Sequence, residues 1–299
     1  MASASAPARA PRVGAGRRRA VIPLILVAPG LLWLGIFFLI PVLNQVYVSL
    51  QEGNFEVGYQ FAWNWQTYGD VFSTYGEHFA RSLQYAAMAT VLAFLIAFPL
   101  AYFIAFKAGR WKNFMLLLIV LPFFTSYLVR TVAWQTILAD NGWVVARLRD
   151  VGVLQEDGRL LATTTAVVAG ITYNFLPFMA LPLYVSLEKI DRRLIEAATD
   201  LYASRVAAFV RVTLPLALPG IFAGSLLTFI PAVGDFVNAQ LLGTSRQYMI
   251  GNVIQSKFLV VTDYPEAAAL SFVLMGMLLL AILAYARALG ARNLQEAAI

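Results

Sequence analysis

Six stretches of the chain are apolar with almost no charge, at about 21–48, 83–106, 114–138, 162–187, 213–235 and 267–289. Each is long enough for a helix to cross a hydrocarbon core, which takes about 20 residues. The gaps between them are polar. The pattern predicts an all-α membrane protein with six transmembrane helices, a single membrane domain over 21–290.

One gap departs from a plain loop. In 188–212, Leu194, Ile195, Ala198 and Leu201 recur at helical spacing, while Arg193, Glu196 and Asp200 mark a polar flank. Asp191 is placed to cap a helix that begins near Arg192. A second helical run, Ser204 to Val212, ends against Pro215, and Pro219 follows at the start of the fifth span. The segment predicts a pair of short helices outside the bilayer. Two readings fit it. One is an amphipathic helix lying on lipid headgroups. The other is a plug for a groove on a partner protein, which the small, Ala-rich apolar face suits.

Composition supports the membrane class. Of 299 residues, 60% are hydrophobic and 13% charged, against about 25% charged in soluble domains. Mean hydropathy is +0.72. With no cysteine, disulfides and thiolate metal sites are excluded. The net charge of +6 gains meaning from its distribution. If the six runs all span, the N-terminus, 107–112, 188–212 and the C-terminus share one side. That side holds fifteen Lys and Arg against six on the other, with Arg130 inside a span. Cytoplasmic loops carry this excess, so both termini and 188–212 are expected in the cytoplasm.

Residues 1–20 form a basic, acid-free tail, expected to be disordered, and 291–299 form a cytoplasmic C-terminal tail. The start has features of a transit peptide and of a secretory signal. The apolar run from Val21 is too long for a signal core, which favours an uncleaved first span. The stretch 51–81 carries Tyr59, Phe61, Trp63, Trp65, Tyr68, Phe72 and Tyr75 and is expected outside, as an interfacial cap or a docking surface.

Ionisable residues inside spans cost roughly 2.5–3.5 kcal/mol at mid-bilayer, so Arg130 and Asp235 each require a reason. In the bland reading Arg130 snorkels or pairs with carbonyls and Asp235 reaches the interface. In the sharper one they face a transport path, as partners in an outward-closed state. Tyr127, Trp134, Tyr173, Asn174 and Asn238 are candidates to add cation–π or carbonyl contacts, or to pack. His78 is the only histidine and reads as ordinary surface. No GxxxxGK[ST] loop is present, so any nucleotide is expected on another polypeptide.

Glu196-Ala197-Ala198, Asp200-Leu201, Thr213-Leu214-Pro215-Leu216 and Leu218-Pro219-Gly220 resemble the EAA signature of bacterial ABC importer permeases. The blocks 121–134, 229–243, 249–258 and 263–272 are similar to those of spermidine/putrescine permease subunits, so the resemblance covers about 21–290. It implies a type I ABC importer permease fold with cytoplasmic coupling helices, in a bacterial plasma membrane. It also implies that Glu196, Ala197, Ala198, Asp200, Leu201, Tyr202, Pro215 and Pro219 couple the chain to an ATPase, Glu196 as a polar contact and the alanines by close approach. The implied partners are two ATPase copies carrying ATP and Mg, a second homologous permease and an external substrate-binding protein. Such a chain is not itself an enzyme. A carboxylate at Asp235 suits a polyammonium cargo, and Arg130 would then be structural or gating. The family pattern has glycine where this chain has Tyr202, which puts the bend there in question. The rivals are the same architecture carrying an anion, thiamine or iron, an ion-coupled secondary transporter, and an intramembrane enzyme.

Overall fold

The computed structural model describes residues 26–288. The expected tails 1–20 and 291–299 lie outside the described residues, as do the first residues of the first apolar run. Four helices are long and apolar enough to cross a membrane, or up to six if each of two bent pairs counts as one span.

Helix α1, Leu26–Ser49, contains a π turn at Gly35–Leu39, and no residue of its most apolar window is buried by the rest of the chain. It leads into an antiparallel hairpin of β1, Gln51–Asn54, and β2, Gly58–Phe61. The Asn54 side chain closes that turn by accepting from the Glu56 and Val57 amides at 3.1 and 2.9 Å.

The stretch expected as an external loop is largely helical. Helix α2 runs unbroken over Gln66–Phe106, 41 residues. At 1.5 Å per residue it is about 60 Å long, twice the roughly 30 Å hydrocarbon core. Its first half is helical because Tyr68, Val71, Tyr75 and Phe79 fall on one face and pack against Ile250, Ala269 and Leu270. In its second half Ala86, Ala89, Ala93, Ala97 and Ala101 form a fully buried stripe. Small residues there let neighbouring backbones approach closely, which is how helices associate in lipid.

The third apolar run is not one straight helix. After α3, Lys112–Val120, Pro122 sits in a 3-10 turn, and Thr125 and Ser126 are extended before α4, Tyr127–Leu138. The two arms are bent by 95°. Proline lacks the N–H that would continue the helix, and hydropathy alone does not register that break. A short amphipathic helix α5, Trp143–Asp150, follows.

Helix α6, Thr164–Glu188, is the central span, with 67% of its apolar window buried. Thr163 caps it by accepting from the Ala166 amide at 3.2 Å. Helices α7, Arg192–Asp200, and α8, Arg205–Ala208, then stand at the end where α2 and α6 finish. A π turn at Phe209–Thr213 and a 61° bend lead into α9, Leu218–Val233. Helices α2, α6 and α9 make the core. Pro219 stands in the first turn of α9, where its missing N–H has no intrahelical partner to lose.

The gap after the fifth run is also structured. Helices α10, Val237–Leu242, and α11, Ile250–Leu259, fold back on the bundle before the last span α12, Tyr264–Ala288. Asn238, Ala239 and Leu242 are fully buried. Gly170 of α6 makes room for them: a Cβ there would meet the Leu242 side chain at 2.4 Å and Asn238 Oδ1 at 2.6 Å.

Candidate coupling face and buried polar seam

The expected site residues fall in two groups at opposite ends of α9. At the first end, Asp191 accepts from the Arg193 amide at 2.9 Å, which fixes the start of α7. The helix ends in paired C-terminal bonds: the Tyr202 amide donates to Thr199 O at 3.0 Å and the Ala203 amide to Ala198 O at 3.1 Å. This closure requires a left-handed residue, and Tyr202 supplies it at φ +63°. The tyrosine therefore keeps the bend that glycine would make easily.

Glu196, Ala197, Asp200, Leu201 and Tyr202 are exposed, and Ala198 is half-buried. Ile195 packs inward among Leu187, Ile190 and Ala217. Arg192, which the spacing did not single out, anchors α7 to α2. Its Nη2 donates to Ala105 O at 3.2 Å and its guanidinium lies 5.8 Å from the Phe106 ring centroid. Phe209 of the π turn meets the Phe98 and Tyr102 rings of α2 at 5.7 and 6.0 Å.

The bend carries Pro215, exposed, and Pro219, half-buried. Beyond it α9 is seated on α6. A Cβ on Gly220 would lie 2.4 Å from Ser186 Cβ and 2.7 Å from Pro182 O, and one on Gly224 would lie 2.9 Å from Met179 Sδ. Such contact leaves little room for sliding.

Asp235 follows the far end of α9. It is 6% exposed. Its Oδ1 accepts from the Asn238 amide at 3.0 Å, and its Oδ2 accepts from the Tyr127 hydroxyl at 2.5 Å and from Asn238 Nδ2. Asn238 Nδ2 also reaches Tyr127 Oη at 2.6 Å. Asn174 Nδ2 donates to Asn238 Oδ1 at 3.2 Å and to Thr131 Oγ1 at 3.3 Å. Thr131 was absent from the sequence expectation. The seam thus joins α4 to α10 through one carboxylate, and α6 to both through Asn174.

Arg130 does not pair with Asp235. Among the described residues no ion pair joins them, because Tyr127 and the start of α10 occupy the carboxylate. Arg130 is 7% exposed, with its guanidinium 5.7 Å from the Tyr127 ring and its Nε and Nη1 without acceptors. Trp134 and Tyr173 pack on each other at 5.4 Å beside this group. His78, expected as plain surface, is half-buried against Tyr75, and burial followed by the charge of Arg81 lowers its pKa.

Residues 89–293 match the family model described as binding-protein-dependent transport system inner membrane component. The chain belongs to this family. It is a permease, a membrane component of a transport system. It is 39% identical over 257 residues to the spermidine/putrescine transport system permease protein PotB of Haemophilus influenzae, covering 86% of this chain and 90% of that protein. PotB of Escherichia coli K12 is 39% identical over 214 residues, covering 72% and 78%. The inner membrane ABC transporter permease protein YdcU of the same organism is 36% identical over 226 residues, covering 71% of each chain.

The permease fold extends to solved structures. A chain of a bacterial alginate ABC transporter in complex with an alginate pentasaccharide-bound periplasmic protein matches with TM-score 0.69, at 20% identity, over 94% of this chain and 98% of that one. A chain from a bacterial ABC transporter importing alginate matches with TM-score 0.61 at 19% identity. The permease fold of this chain is therefore that of ABC importer membrane subunits.

Proposed function

We propose that this chain is one of two homologous permease subunits of an ATP-driven polyamine importer in a bacterial plasma membrane. The observation that carries the reading is the 39% identity to PotB across 86% of the chain. Two ATPase copies would hold ATP and Mg, and an external binding protein would deliver the cargo. The excess of Lys and Arg on one side supports cytoplasmic placement of both termini and of α7.

In this reading α7 is the element that the ATPase moves. Motion of α7 reaches α2 through Arg192 and Ala105, and reaches α9 through Ile195, Ala217 and the π turn. Because Gly220 and Gly224 seat α9 tightly on α6, the shift passes along α9 to Asp235. There the Tyr127–Asp235–Asn238 seam joins the end of α9 to α4, so the arm after the Pro122 break moves with α9. Asp235, Tyr127, Asn174 and Asn238 act as a gating tie, with Arg130, Trp134 and Tyr173 packed around it.

Reconstituting the chain with its partner permease, ATPase and binding protein in liposomes tests this. Labelled spermidine or putrescine should accumulate only with ATP inside the ATPase compartment. Accumulation driven by a proton or sodium gradient without the ATPase would overturn it.

A further inference from the structure

An apolar cleft of about 330 Å³ lies between α2, α9 and α12, apart from both the coupling face and the polar seam. Thr90 and Val91 of α2, Ser225 and Phe229 of α9, and Ala281 and Tyr285 of α12 are among its walls. Small side chains make the space. Elsewhere the small residues of α2 and α9 let a neighbouring helix close in, but at Ser225 and Ala281 nothing in the chain fills the gap. Phe222 of α9 stacks on Tyr285 of α12, with ring centroids 5.1 Å apart and planes at 8°. This pair bridges the two helices at the α7 end of the cleft.

Position and chemistry narrow the occupant. From Ile221 to Phe229 the cleft follows α9 for about 12 Å, a distance that fits within one half of the roughly 30 Å hydrocarbon core. Ile221 stands in the first turn of α9, so the cleft occupies the leaflet on the α7 side. A charged ligand would find no partner there: Tyr285 is the only ionisable group in the walls, and the Thr90 hydroxyl already donates to Ala86 O at 2.7 Å. This sets the cleft apart from any path for a charged solute.

The cleft opens onto lipid. Val91 in its wall is 56% exposed, and Leu95, one turn further along α2, is exposed to the same degree. On α12, Leu279, Leu280 and Leu283 beside the cleft are each more than half exposed. In a membrane component such a surface meets acyl chains, and the cleft is continuous with it. Left empty, the cleft would forfeit the dispersion contacts of its lining, which an extended hydrocarbon chain restores.

We propose that this cleft holds one acyl chain of a phospholipid from the leaflet on the α7 side. The ester region of that lipid lies beside the Tyr285 hydroxyl, since a tyrosine pairs an apolar ring with a polar tip suited to the interface. The bound chain packs α9 on a face next to the one that Gly220 and Gly224 press against α6.

The test places the assembled transporter in nanodiscs made with phosphatidylglycerol that carries a diazirine on its acyl chain. Photolysis should label peptides within 87–94 and 221–229, and also the exposed Leu280. When the lipid is exchanged for detergent before photolysis, the label at Leu280 should be lost and the label in the cleft retained. Ser225→Phe, which fills the cleft, should abolish the retained label and leave labelling of Leu280 in nanodiscs unchanged. If that variant does not fold, Ala87→Phe, from an exposed position on the α2 wall, gives the same reading. Loss of both labels together in detergent overturns the proposal, because the space then holds only ordinary boundary lipid. An unlabelled cleft in nanodiscs that label Leu280 also overturns it, because another part of the assembly then covers the cleft. Retained label that persists in the filled variant overturns it as well, by placing the lipid elsewhere.

Discussion

The Tyr127 hydroxyl donates to Asp235 at 2.5 Å, joining residues 108 positions apart in sequence. Tyr127 opens the helix after the Pro122 break, and Asp235 closes α9, so this bond ties two elements that each begin or end at a bend. The carboxylate has no remaining open side: the α10 backbone takes one oxygen, and Tyr127 and Asn238 share the other. From that occupancy we expect Asp235 to position the seam rather than to meet cargo directly.

Removing one partner should therefore cost stability before it costs recognition. Tyr127→Phe leaves the buried carboxylate short of a donor, a loss of roughly 1–3 kcal/mol. Asp235→Asn should lower the thermal midpoint of the purified permease and slow uptake, with the KM for spermidine nearly unchanged. A several-fold rise in KM at undiminished stability would instead place Asp235 against the cargo.

The contact of α9 with α6 predicts a sharp contrast between glycines. Gly220→Ala puts a methyl 2.4 Å from Ser186 Cβ, and overpacking of this kind costs about 1–3 kcal/mol. Gly276→Ala, in α12, meets nothing within 4 Å and should be neutral or gain up to about 1 kcal/mol from helix propensity. Thermal unfolding of the two variants, with uptake measured at matched expression, checks both. Equal stability of the pair would mean that α9 is looser on α6 than its geometry implies.

What was legible follows from how local each signal is. The apolar runs located the spans, and α7 starts where Asp191 can cap it, because both signals lie within a few residues. The small-residue contacts carry a local signal that the sequence reading did not use: Gly220 and Gly224 are four apart, and the alanine stripe of α2 repeats every three or four positions. The helical spacing of Tyr68, Val71, Tyr75 and Phe79 was hidden beneath an aromatic, polar stretch that resembled a loop. The break at Pro122 was hidden by continuous apolarity on both sides. The Tyr127–Asp235 bond had no such signal, since no spacing encodes a partner 108 positions away. The same limit explains why a pairing of Arg130 with Asp235 stood as one of two readings: charge sign suggested the match, and here the carboxylate is taken by other donors.

At the hairpin end an acid-sensitive latch is expected. Lys257 pairs with Glu266 and lies 3.9 Å from Asp263, while Tyr59 donates to Thr262 O and draws the hairpin to the same turn. Burial opposes ionisation of Glu266, but bonds from Lys257, Asp263 and Tyr75 outweigh it and hold the carboxyl below the ordinary glutamate value of 4.5. A lowered folded pKa gives stability that is present above 4.5 and is lost as pH falls through the folded value. Asp263 shifts the other way, raised first by burial and then by Glu266, so it takes its proton earlier and adds no acid-labile stability. Between about pH 5 and about pH 3, the thermal midpoint of Glu266→Gln should fall less steeply than that of the unsubstituted chain. Parallel slopes would remove Glu266 from the latch.

Arg192 offers the cleanest separation of docking from transmission. It lies on α7 and is exposed like Glu196, Ala197 and Tyr202, but its guanidinium is engaged within the chain, donating to Ala105 O at the end of α2. A charged donor at a partly exposed site contributes about 1.5 kcal/mol, which is about a tenfold shift in any equilibrium it biases. Arg192→Ala should thus leave ATPase binding and membrane insertion intact while uptake per ATP hydrolysed falls by about that factor. Ala198→Trp should instead abolish uptake by blocking the docking itself. Arg192→Lys should recover part of the coupling, because an ammonium can still reach the carbonyl but cannot lie flat over Phe106. Full coupling in Arg192→Ala would mean that force leaves α7 through Ile195 and the π turn alone.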